Sequence, residues 1–224
     1  MKGHIFLVNP SHPLPEGFVP GKLAPALPGS DVLLERECAL ALSALIDRCG
    51  AGGKIVPVSG YRPHAEQVAL WNDTIRTHGG DFTRQYVAIP GCSEHETGLA
   101  IDLALDDGGE IDFIRPHFPY DGVCGEFRAL AAEYGFIERY QAGKEHITHI
   151  SAEPWHFRYV GAAHAGYIAA NALALEEYIE LLRRGERIGA ASFVPNGEAL
   201  PDGEHVVEDS NAGGYILNSR RSLA

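Results

Sequence analysis

Cysteine is scarce and scattered in this chain. The four present, Cys38, Cys49, Cys92 and Cys124, form no CxxC pair and are too sparse for the disulfide framework of a small secreted fold, so reduced, buried thiols are expected. Long apolar runs are missing too. The N-terminal IFLV ends at Asn9 and Pro10, unlike the charged-then-apolar pattern of a secretory signal, and no stretch reaches transmembrane length. The sequence therefore reads as a cytoplasmic chain without a membrane anchor. Basic residues number 18 against 30 acidic ones, and the net charge of −12 repels phosphate backbones and anionic lipid heads. Nucleic acid is not an expected partner. Internal repeats and low-complexity tracts are also missing.

What remains, 224 residues of 45% hydrophobic content, is enough to bury one sizeable core. Residues 1–30 hold six of the 14 prolines, which suits an extended arm over the core better than helices or inner strands. From Ser30 and Asp31, taken as the cap, Leu34, Cys38, Ala41, Leu42, Leu45 and Cys49 recur at helical spacing as far as Gly50. KIVPVSGYR (54–62) reads as a strand, and the segment after it as a helix that starts at a proline and stops at Gly79 and Gly80. LAIDLAL (99–105) reads as an inner strand, and GEFRALAAEYG (125–135) as a helix leading into a strand at Phe136 and Ile137. THISAEPWHFRYVG (148–161) is β-rich, although Pro154 argues against a regular central strand. One long helix, HAGYIAANALALEEYIELLRRG, then closes a main domain of residues 1–185. In the extension 186–224, HVVED and YILNS flank SNAGG as a hairpin, which leaves a small β appendage or a mobile tail as the alternatives.

The chemistry concentrates in SEHETGLAID (93–102). Here an apolar run carries His95 and Asp102, a pair that is economical to bury mainly when both hold something such as a metal ion. A catalytic zinc takes three protein ligands and leaves one position open, so a third ligand must come from elsewhere. His156 in EPWHFRYVG is the leading candidate, with His146 and His149 in EHITHIS as rivals that would point to opposite faces of a regular strand. The other seven histidines read as surface, cap or loop residues. Glu153, three residues before His156, has the character of a base that takes a proton from a metal-activated water and passes it to a leaving amine. Arg62, at a strand end before a helix, suits the oxyanion of a tetrahedral intermediate.

In order and spacing, SGYRPHAEQ, PGCSEHETGLAIDLAL and EPWHFRYVG resemble the zinc D,D-peptidases of the vancomycin-resistance group, namely the VanY carboxypeptidases and bifunctional VanXY enzymes. The resemblance implies an α+β fold of the Hedgehog/D,D-peptidase type, with a central antiparallel sheet flanked by helices. It implies one Zn2+ per chain held by His95, Asp102 and His156, with Glu153 as base and Arg62 as transition-state arginine. It also implies that Ser93, Gln67 and Tyr86 hold the C-terminal end of the substrate, a peptidoglycan precursor peptide ending in D-Ala-D-Ala. Trp155 is expected to pack behind Glu153 and His156.

Two departures bear on specificity. Where similar enzymes that cleave free D-Ala-D-Ala tend to carry an acid ahead of GYR, this chain has Ser59, which tilts the expectation toward carboxypeptidase action on longer peptides. His149 stands where relatives often have glycine. The alternatives are a D,D-dipeptidase or dual enzyme, and, from another class, an idle zinc- or peptidoglycan-binding module.

Overall fold

The computed structural model describes residues 3–185, 191–196, 198, 205–210 and 214–219. Its N-terminal arm runs over the core as expected, with Ile5, Phe6, Leu7 and Val8 all buried. Two short antiparallel strands follow, β1 (Leu23–Pro25) within the extended arm and β2 (Leu33–Glu35) where the first turn of a helix was expected. They form a separate two-stranded sheet, and Pro25 sits at the end of β1, where a missing N–H is tolerated.

Helix α1 (Arg36–Arg48) begins later than Ser30 and Asp31 suggested. Glu35 caps it, its carboxylate accepting the amides of Glu37 at 2.8 Å and Cys38 at 3.4 Å. The apolar stripe of α1, with Cys38, Leu42, Leu45 and Ile46, joins Ile55, Ile101, Leu103 and Phe157 in the larger core.

Strand β3 (Ile55–Ser59) leads through helices α2 (His64–His78) and α3 (Gly80–Tyr86) to β4 (Ala100–Leu105). Helix α4 (Gly122–Ala131) then delivers the chain to β5 (Phe136–Tyr140), and the short α5 (Glu145–Thr148) precedes β6 (Glu153–Tyr159). These four strands form one antiparallel sheet in the order β3-β4-β6-β5. The fold is thus mixed α and β, with a central antiparallel sheet flanked by helices. Pro154 does lie on an inner strand. The β4 ladder has ended at Asp102 opposite His156 before Pro154 is reached, and the β5 ladder is irregular between Glu138 and Tyr140, so no ladder bond is demanded of it.

The single long helix expected before residue 185 is two helices, α6 (Ala162–Ala170) and α7 (Leu175–Arg183). Ala172 takes a left-handed φ of 49° between them, and Glu177 accepts the Ala174 amide at 2.7 Å to start α7. The break lets α7 bury Leu175, Tyr178, Ile179 and Leu182, and His164 on α6 is buried beside Tyr178 Oη at 2.6 Å, not exposed. Of the two readings of the tail, the described residues take the β form: β7 (Ala191–Pro195), β8 (His205–Ser210) and β9 (Gly214–Ser219) pair antiparallel in the order β7-β9-β8. The turn of the expected hairpin, 211–213, lies outside the described residues. Ile216 of β9 shares a core with Ile5, Ile168, Tyr178 and Leu182. Among the described residues no helix is long and apolar enough to cross a membrane.

One glycine joins β2 to the central sheet. A Cβ at Gly60 would lie 2.4 Å from the Leu33 carbonyl oxygen and 2.7 Å from Val32, and that carbonyl is already fixed by the Tyr61 amide at 2.6 Å. Gly60→Ala is expected to force β2 and the end of β3 apart and lower stability by about 1–3 kcal/mol, as overpacking does. Urea unfolding measures this; an unchanged midpoint contradicts the close approach.

Candidate metal centre

Three elements converge on one point. Asp102 on β4 and His156 on β6 are register partners, so their side chains leave the same face of the sheet as nearest cross-strand neighbours. His95 comes from a 3-10 turn, Glu94–Thr97, whose end is closed by Gly98 at a φ of 72°. A side chain at Gly98 would stand 3.0 Å from the Glu35 amide nitrogen, and the Glu35 amide donates to the Gly98 carbonyl at 2.8 Å, which holds the turn against β2. His95 Nε2 lies 3.1 Å from one Asp102 oxygen and His156 Nδ1 lies 2.8 Å from the other.

The donor set fits a metal ion. One ligand atom from each of His95, Asp102 and His156 lies within 4.8 Å of the others, and all three residues are buried. Ligands about 2.0–2.1 Å from a tetrahedral zinc stand roughly 3.3 Å apart, which falls within that limit. His95 Nδ1 is 2.8 Å from the Gly60 carbonyl, so it carries the proton and leaves Nε2 as the donor. Mixed His/Asp ligation suits zinc.

The charges are unevenly held. Burial pushes the His95 imidazolium pKa down, Asp102 opposes this and Arg62 adds to it, and the net is a lowered value that favours the neutral ligand form. For His156 burial also disfavours the charge, but Asp102 and Glu94 overcome it and raise the pKa to about 10. Burial works to raise Asp102, yet its two histidine neighbours hold it well below the usual carboxylate range. Glu153, 3.9 Å from His156 Nδ1, is pushed up to about 8, chiefly by burial and then by Asp102 and Glu94, with His156 and Arg62 pulling the other way. A nearby cation lowers that value toward the range where a carboxyl exchanges protons readily.

Arg62 lines the same cleft as Ser93, His95, Asp102, Glu153 and His156. Its Nη1 donates to Gln67 Oε1 at 2.8 Å and its Nη2 to Ser59 Oγ at 2.6 Å, while Gln67 Nε2 donates to the Ala88 carbonyl at 2.7 Å. Gln67 and Ser59 therefore stand behind Arg62 and hold it, and neither lines the cleft where they were expected to meet substrate. Ser93 and Tyr86 do line it, and Trp155, 8% exposed, packs between the cleft and the larger core. The rivals His146 and His149 fall on α5 and its C-terminal end, outside the ligand cluster.

Sequence reasoning missed the floor beneath the ligands. Glu94 Oε2 is 3.2 Å from His156 Nε2, and its other oxygen meets Arg139 Nε at 2.8 Å and Arg158 Nη1 at 3.2 Å. Glu94, Arg139 and Arg158 are at most 2% exposed. The signal available was an arginine inside each of the apolar strand runs FIERY and HFRYV, since a buried cation demands an anion. Phe113, with Arg62 6.0 Å from its ring centroid, and Ile114 close another side of the cleft.

Comparison with known proteins places this arrangement. The VanY D-alanyl-D-alanine carboxypeptidase family matches residues 31–162. The bifunctional D-Ala-D-Ala dipeptidase and carboxypeptidase VanXYC of Enterococcus gallinarum is 42% identical over 182 residues, 81% of this chain and 96% of that protein. Among solved structures, the D,D-dipeptidase VanXYg with a D-Ala-D-Ala phosphinate analogue superposes with a TM-score of 0.88 at 41% identity, covering 96% of this chain and 93% of that one. A Zn(II) complex of a mutant VanY D,D-pentapeptidase from a VanB-type resistance cassette gives a TM-score of 0.64 at 29% identity, covering 79% of this chain and 98% of that one.

The proton on His156 sets the pH dependence of metal binding. With its pKa raised to about 10, His156 is protonated in the metal-free protein at neutral pH, and an ion must displace that proton. Zinc affinity is expected to rise with pH, by about tenfold per unit between roughly pH 7 and 9 for one displaced proton. Competition against a chromophoric chelator across that range checks it, and a flat profile contradicts the coupling.

Proposed function

The chain belongs to the VanY family of D-alanyl-D-alanine carboxypeptidases, and on that premise we propose that it hydrolyses the terminal D-Ala-D-Ala bond of peptidoglycan precursor peptides with one zinc ion per chain. The observation that carries this reading is that Glu153 and Arg62 line one cleft together with the clustered His95, Asp102 and His156. When bound, the ion supplies Lewis acidity that lowers the pKa of a water and polarises a carbonyl oxygen.

The chain's own groups do the rest. Glu153 takes the proton of the attacking water and returns it to the departing D-alanine amine. Arg62, aimed by Ser59 and Gln67, spends two of its five N–H donors on them and presents charge to the developing oxyanion. Ser93 and Tyr86 hold the C-terminal end of the substrate, a role supported by their place on the cleft wall. All these residues fall within residues 1–185, the proposed peptidase domain. Four cysteines held as free thiols support a reducing, cytoplasmic setting. There, trimming D-Ala-D-Ala termini removes the target of vancomycin and contributes to resistance.

A dual dipeptidase and carboxypeptidase is the second reading, favoured by the 42% identity to a bifunctional relative. The idle-module alternative leaves Glu153 without a purpose, because a binding site needs no proton-accepting carboxylate beside its metal.

Glu153→Gln is expected to lower kcat about 10²–10⁴-fold while zinc content stays at one equivalent; hydrolysis at the original rate by the zinc-loaded variant removes the base assignment. A second measurement compares alanine release from a muramyl pentapeptide and from free D-Ala-D-Ala. The carboxypeptidase reading expects turnover of the pentapeptide alone, cleavage of both establishes the dual enzyme, and cleavage of neither defeats the proposal.

A further inference from the structure

Resting on the metal-centre reading above, we infer that Glu94 is a positioning residue that fixes the tautomer and tilt of His156, so that Nδ1 faces the ion. Each link in the argument is a contact. His156 Nδ1 lies among Asp102 and Glu153 oxygens, and its other nitrogen, Nε2, has Glu94 Oε2 at 3.2 Å. A histidine that ligates through Nδ1 must carry its proton on Nε2, and a carboxylate there selects that tautomer.

Glu94 can do this only if it is itself immobile, and two guanidinium groups make it so. Its Oε1 meets Arg139 Nε at 2.8 Å and Arg158 Nη1 at 3.2 Å, leaving Oε2 for the imidazole. Arg139 Nη2 is anchored in turn on Glu176 of α7 at 2.7 Å. Arg158 Nη2 donates to the His4 and Phe6 carbonyls of the N-terminal arm at 3.0 and 3.2 Å. The Tyr140 ring, 4.8 Å from that of His156, closes a flank of the imidazole. The arm and α7, both far from the ligands in sequence, thus hold one imidazole through one carboxylate.

Charge adds a second reason. Without Glu94, two buried arginines would face a divalent cation across a single imidazole ring. Its carboxylate separates like charges as well as orienting the ring.

The test uses full-length protein, prepared metal-free and checked for native near-UV dichroism, titrated with zinc against a chromophoric chelator. Glu94→Gln keeps an acceptor oxygen and loses the charge; Glu94→Asp keeps the charge and draws the carboxylate away from His156 by one methylene. Both are expected to raise the zinc Kd about 10–100-fold, the usual effect of losing such a partner. A Kd within about threefold of the original for either folded variant overturns the inference, because the usual effect is larger. A readout that needs no variant stands beside it: in the zinc-loaded protein with 15N-labelled histidine, His156 should show a protonated Nε2 and a metal-bound Nδ1. The opposite assignment also overturns it. Wild-type protein that binds no zinc would instead sink the metallopeptidase reading itself, and this inference with it.

Discussion

The register of β4 against β6 is the constraint from which the site follows. Along β4, Ile101 and Leu103 enter the larger core, and along β6 Trp155 and Phe157 do the same. Strand alternation then sends Asp102, His156 and Arg158 to the opposite face, and the pairing of Asp102 with His156 makes two of them direct neighbours. A slip of one residue would bury the ligands in the apolar core and turn the core residues into the cleft. The same burial that stabilises the fold therefore specifies the candidate metal centre, and no separate device is needed to bring Asp102 and His156 together.

The face so created is crowded with charge, and its neutrality is local. Asp102 is answered by two histidines, and Glu94 by Arg139 and Arg158. Glu153 has only partial compensation and is displaced upward accordingly. Buried ion pairs of this kind contribute little net stability, since desolvation offsets much of their attraction. Their presence is better explained by geometry: each pair removes a rotational freedom from a side chain whose direction matters. An apolar filling of the same volume would hold the sheet as well and leave the imidazoles unaimed.

The sequence made some of this legible and hid the rest for identifiable reasons. His95 and Asp102 could be read because a polar side chain in an apolar run needs a partner, His156 because that pair calls for a third ligand, Glu153 because it lies three residues before His156, and Arg62 because it ends a strand before a helix. The β4 strand and α4 followed from periodicity. The division of α6 from α7 did not, because no glycine or proline marks Asn171–Ala174 and the bend is set by packing of Tyr178 and Leu182. The start of α1 was misplaced because Ser30 is a better N-cap by type than Glu35, while the pairing of β1 with β2 holds Glu35 where its carboxylate reaches the first turn. Glu94 was hidden by its neighbour: in SEHET the histidine drew the functional reading, and the arginines that give the glutamate its meaning lie 45 and 64 residues away.

Ser59 shows how a local irregularity redirects a specificity argument. Read along the chain, a residue three positions before Arg62 can face the amino end of a substrate, and an acid there would meet a free ammonium group. The β3–β4 ladder, however, shifts register between Pro57 and Ser59, and such a bulge re-aims the side chain that follows it. The Ser59 hydroxyl meets Arg62 at 2.6 Å and is 6% exposed. An acid at this position would form a buried pair with Arg62 and weaken the charge that Arg62 offers an oxyanion. The serine therefore speaks to the strength of the arginine's field, while Ser93, Tyr86, Phe113 and Ile114 form the walls of the cleft itself.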